Sequence, residues 1–239
     1  MRFQRISFWL MVFLSFGTGV LDAATYIGMG GIFGANMTGN VILVAISLAG
    51  TGNIHITGPL LALGGFVLGS WVAGLVTRRH PASKESDPTI APLFWITALG
   101  MVGISVAFWM LPSSALLFHA STGIIGVLMA CQALAARRVG VPDISTVVVT
   151  STLSLLFSEA GRFNGGAGNA ATGRRFAAVV SMFGGAVLGA FLVPHGLNIA
   201  LLVPTFLLVA VAVGYTIVRR THSRHAETAK PNRRSVLVD

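Results

Sequence analysis

The chain has 239 residues, of which 54% are hydrophobic and 10% charged, with a formal net charge of +9. A soluble domain carries about a quarter charged residues, and the mean hydropathy here is +0.81, so a water-soluble globule is excluded. The basic residues fall in short clusters beside apolar runs, which argues against a nucleic-acid partner and for a polytopic membrane protein in a lipid bilayer.

Arg2 and Arg5 precede an apolar run that begins like a secretory signal. The run continues past Ala23-Ala24 and more such segments follow, so it reads as a retained first span, about 6–28. The next apolar stretch, 33–49, opens with Asn36-Met37-Thr38-Gly39-Asn40 and is preceded by Gly28, Gly30, Gly31 and Gly34. Full spans follow at about 57–76, 92–111 and 115–136. A second short stretch, 142–157, carries Asp143, Thr146, Thr150, Ser151 and Thr152. Spans at about 176–193 and 199–218 complete the set, and the segment around Gly166-Ala167-Gly168 reads as a flexible loop. Residues 1–220 are expected to form one bundle, and 221–239 a basic, disordered cytoplasmic tail that touches anionic lipid.

The two short stretches reach only about 20–25 Å as helices, against a hydrocarbon core of about 30 Å. The expected fold is therefore an all-α membrane protein: six full transmembrane helices plus two short re-entrant or half-membrane helices. With a cytoplasmic N-terminus this layout puts every Arg and Lys on the cytoplasmic side, and the C-terminus with them. Full crossing of both short stretches would move Arg78, Arg79, Lys84, Arg137 and Arg138 outside.

The halves, about 6–111 and 115–218, repeat. Gly64-Gly65-Phe66-Val67-Leu68-Gly69 matches Gly184-Gly185-Ala186-Val187-Leu188-Gly189, and Thr38-Gly39-Asn40-Val41 aligns with Thr150-Ser151-Thr152-Leu153. Asp22 falls opposite Gln132. Three full spans per half require opposite orientations, the inverted-topology plan of many secondary transporters.

Asp22 is the one acid deep in an apolar segment. A central Asp costs roughly 2.5–3.5 kcal/mol on insertion scales. It reads equally as a proton or cation site and as a hydrogen-bond anchor to Thr18, Thr25 or an amide of the short segment. Asn36, Thr38 and Asn40 read either as site residues at a polar helix start or as caps and interhelical glue. Thr150, Thr152 and Gln132 are the candidates from the second half, while Asp143 after Pro142 reads first as a cap. Gly65, Gly69, Gly185 and Gly189 form two small-residue packing faces. His119 and His195 fall near span ends, Cys131 reads as a small buried side chain, and no spacing suggests a metal, a cofactor or a local catalytic arrangement.

Leu21-Asp22-Ala23 with Asn36-Met37-Thr38-Gly39-Asn40 resembles the YoaK-like family of bacterial multi-pass membrane proteins. So does Gln132 followed by Arg137-Arg138-Val139-Gly140-Val141-Pro142-Asp143 and Thr150-Ser151-Thr152. The resemblance covers nearly the whole chain before the tail, with Ala133 where the family has Asn and Ser151 where it has Gly. That family carries a domain-of-unknown-function label, so it implies location and layout but no activity. The expectation is a non-enzymatic inner-membrane transporter or permease for a small solute or ion, homo-oligomeric assembly being left open. The alternatives are a non-transporting assembly or signalling protein and an intramembrane lipid-acting enzyme built around His119 or His195.

Overall fold

The structure, a computed structural model, describes residues 2–51, 55–78, 87–139 and 166–228. These form α1 (Arg2–Gly28), α2 (Met37–Leu48), α3 (Thr57–Arg78), α4 (Ile90–Met110), α5 (Ala115–Val139), α6 (Gly166–Leu192), a 3-10 turn (Val193–His195) and α7 (Leu197–Thr228). Among the described residues six stretches are long and apolar enough to cross a membrane: Arg5–Gly28, Thr57–Arg78, Ile90–Met110, Ala115–Val139, Gly173–His195 and Leu197–Thr221. At 1.5 Å per residue α2 is only about 18 Å long. This is the all-α membrane architecture read from the hydropathy. The second short stretch, with Asp143, Thr150 and Thr152, lies outside the described residues.

Two boundaries differ from the expected ones. α6 starts at Gly166, inside the segment read as a flexible loop. Ala167, Ala170, Ala171, Ala177 and Ala178 favour helix strongly, and no proline interrupts them. α7 runs to Thr228, into the stretch read as tail. Arg219, Arg220, Arg224, Ala226 and Glu227 are good helix formers, and the first proline after them is Pro231.

Packing follows the glycines. A Cβ on Gly65 would strike the carbonyl oxygen of Gly123, and one on Gly69 would lie 2.6 Å from that of Val127. Gly126 of α5 in turn meets the backbone of Ala62 and Phe66. The other half makes the same set of contacts: Gly185 against Phe16 O, Gly189 against Val20 O at 2.6 Å, and Gly19 against Met182 O and Ala186 N. Thus α3 lies on α5, and α6 on α1, as parallel pairs with backbones in contact. Lipid supplies no hydrophobic drive between helices, so such close approach is what holds them together. In this register Ala23 answers to Ala130, each next to a distal glycine of the pair. Counting along the two helices, Gln132 then corresponds to Thr25, not to Asp22 as the sequence alignment had it; Asp22 corresponds to Met129.

α4 and α7 fill the space between α1 and α5. Phe94, Ala98, Met101, Leu201, Ala212 and Tyr215 are buried there, and Ser105 and Thr205 share a hydrogen bond of 2.8 Å. α3 and α6 are peripheral, with Val67, Trp71, Phe183 and Phe191 on their open faces.

The two ends of the bundle differ in charge. At one end Arg138 Nη1 bonds Asp87 Oδ2, and Arg138 Nη2 donates to Thr77 O at 3.0 Å, joining α3, α4 and α5. Asp87 Oδ1 also accepts from Thr89 N and Thr89 Oγ1. Burial alone would raise the Asp87 carboxyl; the Thr89 bonds and the Arg138 guanidinium outweigh it and hold the group below its ordinary value. Arg5, Arg78, Arg137, Arg174, Arg175, Arg219 and Arg220 lie in the parts of their helices nearest this same arginine end. The opposite end, where α1 stops and α3 and α5 start, carries no Lys or Arg among the described residues.

Candidate functional site

The site is built where α1 gives out. Gly30 and Gly31 adopt φ of 82° and 79°, a left-handed conformation that glycine takes without Cβ strain. They turn the chain back along the last turns of α1. Gly34 N donates to Thr25 Oγ1 at 2.9 Å. Asp22 Oδ1 accepts from Ala35 N at 2.7 Å and from Asn36 N at 3.2 Å. Backbone at membrane depth must find such partners inside the protein. Asp22 and Thr25 are both buried, and Asp22 Oδ2 has no hydrogen-bond partner among the described residues.

The chain then reverses a second time. Asn40 Oδ1 accepts from Phe33 N at 2.9 Å, and Asn40 Nδ2 donates to Phe33 O at 2.7 Å. A residue in the first turn of α2 therefore lies beside one that precedes the helix. Asn36 is the N-cap, its Oδ1 accepting from Gly39 N at 3.1 Å. α3 begins at the end where α1 stopped, since Gly28, Met29, Gly30, His55, Thr57 and Gly58 share one cavity of about 460 Å³ with His119 and Thr122 of α5.

A second cavity, of about 100 Å³, runs from exposed Asn36 and Thr38 to buried Thr18 and Gln132. The hairpin contributes Ala35, Asn36, Met37 and Thr38; α1 contributes Thr18, α3 Phe66, and α5 Met129, Gln132 and Ala133. Gln132 Nε2 donates to Thr18 Oγ1 at 3.3 Å, and Thr18 Oγ1 donates to Leu14 O at 2.9 Å. On each bordering element the two cavities are separated by apolar or small residues: Leu21 on α1, Ile32 and Gly34 on the hairpin, Ile125 on α5. Leu21, Ile32 and Ile125 are almost fully buried, and a Cβ on Gly34 would press on Leu21 and Ile125.

The structure thus brings Asn36, Thr38 and Gln132 to one cavity. It puts Asp22 and Asn40 behind the cavity wall, where they fix the hairpin. Asp22 bonds neither Thr18 nor Thr25 through its side chain; its partners are backbone amides of the short segment. Thr150 and Thr152 lie outside the described residues. Gly65, Gly69, Gly185 and Gly189 sit in helix contacts, away from the cavity. His119 lines the larger cavity, and His195 Nδ1 lies 3.1 Å from Phe191 O. The sequence offers Thr18 and Thr25 only as partners for Asp22; membrane-helix threonines ordinarily bond their own helix carbonyls. Both do so here, at Leu14 O and Leu21 O, and each holds a second partner as well.

A family model described as "Protein of unknown function (DUF1275)" matches residues 10–214. The chain is 27% identical over 153 residues to the UPF0700 transmembrane protein YoaK of Bacillus subtilis (strain 168). That match takes in 63% of this chain and spans 65% of the length of YoaK. No solved structure matches. With the family model running through all six apolar helices, the chain is an integral membrane protein of the DUF1275, YoaK-like family.

Proposed function

We propose that this protein is a transporter or permease that passes a small solute or ion through the polar cavity between the α2 hairpin and α5. The observation that carries the reading is the lining itself. Asn36 and Thr38, exposed residues of an interrupted segment, meet Thr18 and Gln132, buried residues of two continuous helices, in one cavity. Interrupted helices whose polar starts face a midplane cavity are the common substrate-site plan of secondary transporters.

In this reading α2 is a re-entrant half-helix. Its fold-back at Phe33–Asn40 and the shared end of Gly28 and Thr57 support it. The matched contacts of Gly65 and Gly69 on α5, and of Gly185 and Gly189 on α1, support an inverted repeat. The arginine end faces the cytoplasm of a bacterial inner membrane, by the positive-inside rule, and the N-terminus lies with it. The larger cavity is then an outer vestibule, closed from the inner one by Leu21, Ile32 and Ile125. Asp22 anchors the hairpin that forms the cavity floor, and its unengaged Oδ2 is a seat for a proton rather than for a cation, since no second acidic side chain lies beside it among the described residues. The protein acts without catalytic chemistry.

The experiment is a proteoliposome flux screen on wild type and Asp22→Asn, with folding followed by thermal unfolding. Flux in wild type that falls in a folded Asp22→Asn protein is the expected result. Absence of flux for every solute, with both proteins folded, would make the polar groups sealed interhelical glue and overturn the reading.

A further inference from the structure

We propose that the inner cavity takes an uncharged polar solute bearing both hydrogen-bond donors and acceptors, of the size of a simple amide or a two-carbon diol. This rests on the transport reading above and names its substrate class.

The first observation is charge. The described lining is two amides, two hydroxyls, two thioethers, a phenyl ring and two methyls, with no ionisable side chain. Asp22 is separated from the cavity by the Ala35 and Asn36 backbone, and its Oδ1 is already shared by their two N–H groups. An ion stripped of water at the buried Thr18 and Gln132 end would meet no opposing charge, and burying an unpaired ion is far costlier than burying a polar group that keeps its hydrogen bonds.

The second observation is which polar atoms remain. Asn36 Oδ1 caps Gly39 N, so its Nδ2 is fixed as the outlying group. Thr18 Oγ1 gives its proton to Leu14 O, so it can only accept from Gln132, and this fixes Gln132 Nε2 towards it and Oε1 away. Among the described residues no hydrogen bond engages Asn36 Nδ2, Gln132 Oε1 or the Thr38 hydroxyl. A donor, an acceptor and a group that is both therefore remain for a ligand. Two of the lining oxygens, Asn36 Oδ1 and Thr18 Oγ1, already accept N–H groups, which leaves a poor oxygen cage for a cation.

The third observation is size and shape. A dry cavity of about 150 Å³ accepts benzene, with its six non-hydrogen atoms; the one here is about 100 Å³, which in proportion limits the solute to about four non-hydrogen atoms. Met37, Met129 and Phe66 supply an apolar wall against which the carbon side of such a solute would lie.

The test uses the full chain in proteoliposomes. Stopped-flow light scattering follows inward gradients of urea, acetamide, ethylene glycol and sorbitol, while a voltage-sensitive dye follows Na⁺, K⁺ and Cl⁻. Urea, acetamide or ethylene glycol should equilibrate faster than in protein-free vesicles, sorbitol should not, and no ion should shift the potential. Thr38→Val, which removes a hydroxyl engaged in no described bond, should fold as wild type and slow the flux about threefold to tenfold, the worth of one neutral hydrogen bond. Gln132→Leu should slow it at least as much. Ion flux without neutral-solute flux would overturn this substrate class and leave the transport reading standing. No flux of any kind would overturn both. Neutral flux unchanged in both variants would remove the solute from this cavity.

Discussion

Asn40 holds Phe33 by both atoms of its side-chain amide, accepting from Phe33 N at 2.9 Å and donating to Phe33 O at 2.7 Å. One fully buried side chain therefore does for the hairpin what a pair of ladder bonds does in a sheet. Asn40→Leu keeps the volume and leaves a peptide N–H and C=O without partners, at about 1–3 kcal/mol each. The expected outcome is a clearly lowered unfolding midpoint in detergent, followed by tryptophan fluorescence. An unchanged midpoint would show that the clamp does not support the fold.

The arginine end has a pH dependence of its own. Asp87 lies below its ordinary value in the folded protein, so folding favours its ionised form. That stabilisation is fully present above the unfolded value of about 4 and fades as pH falls through the lowered folded value. Asp87→Asn should be less stable than wild type at neutral pH, with the difference shrinking on acidification below about pH 4. A constant difference between the two proteins across that range would remove Asp87 as the titrating group.

The glycine contacts make a paired prediction. Gly65→Ala and Gly185→Ala each push a methyl into a neighbouring backbone carbonyl, at Gly123 and Phe16 respectively. Overpacking of this kind typically costs about 1–3 kcal/mol. Gly64 and Gly184 are the built-in controls. A Cβ on Gly64 meets nothing within 4 Å, and one on Gly184 meets only Phe16 at 3.7 Å. Unfolding midpoints should fall for Gly65→Ala and Gly185→Ala and hold for Gly64→Ala and Gly184→Ala. Equal behaviour within each Gly-Gly pair would contradict the packing register.

Much of the bundle was legible because lipid imposes simple rules. Apolar runs gave the six long helices, and Gly65, Gly69, Gly185 and Gly189 announced close contacts that their spacing alone implies. The helix ends at Gly166 and Thr228 were not, because glycine-rich and basic compositions resemble loops even where alanine, arginine and glutamate carry a helix on. Within the site, the polar run Asn36–Asn40 was visible, but the division of labour inside it was not. Which of three polar side chains faces the cavity depends on where the chain reverses, and that is set by Gly30, Gly31 and the distant carboxylate of Asp22. Arg138 illustrates the same limit. Its position fitted the charge rule, yet its bonds to Asp87 and Thr77 arise from three helices meeting, which no local pattern records.

Passage of a solute between α2 and α5 requires a hydrated polar cavity with Thr38 on one side and Gln132 on the other. Single cysteines at these positions, in a Cys131→Ala background, can be tested in membranes with a small hydrophilic thiol reagent against cysteines at the lipid-facing positions Val67 and Phe183. Thr38→Cys and Gln132→Cys are predicted to react well above both controls, and to be protected by a transported solute. Reaction at both sites as slow as at Val67 and Phe183 would mean a sealed interior with no path for a solute.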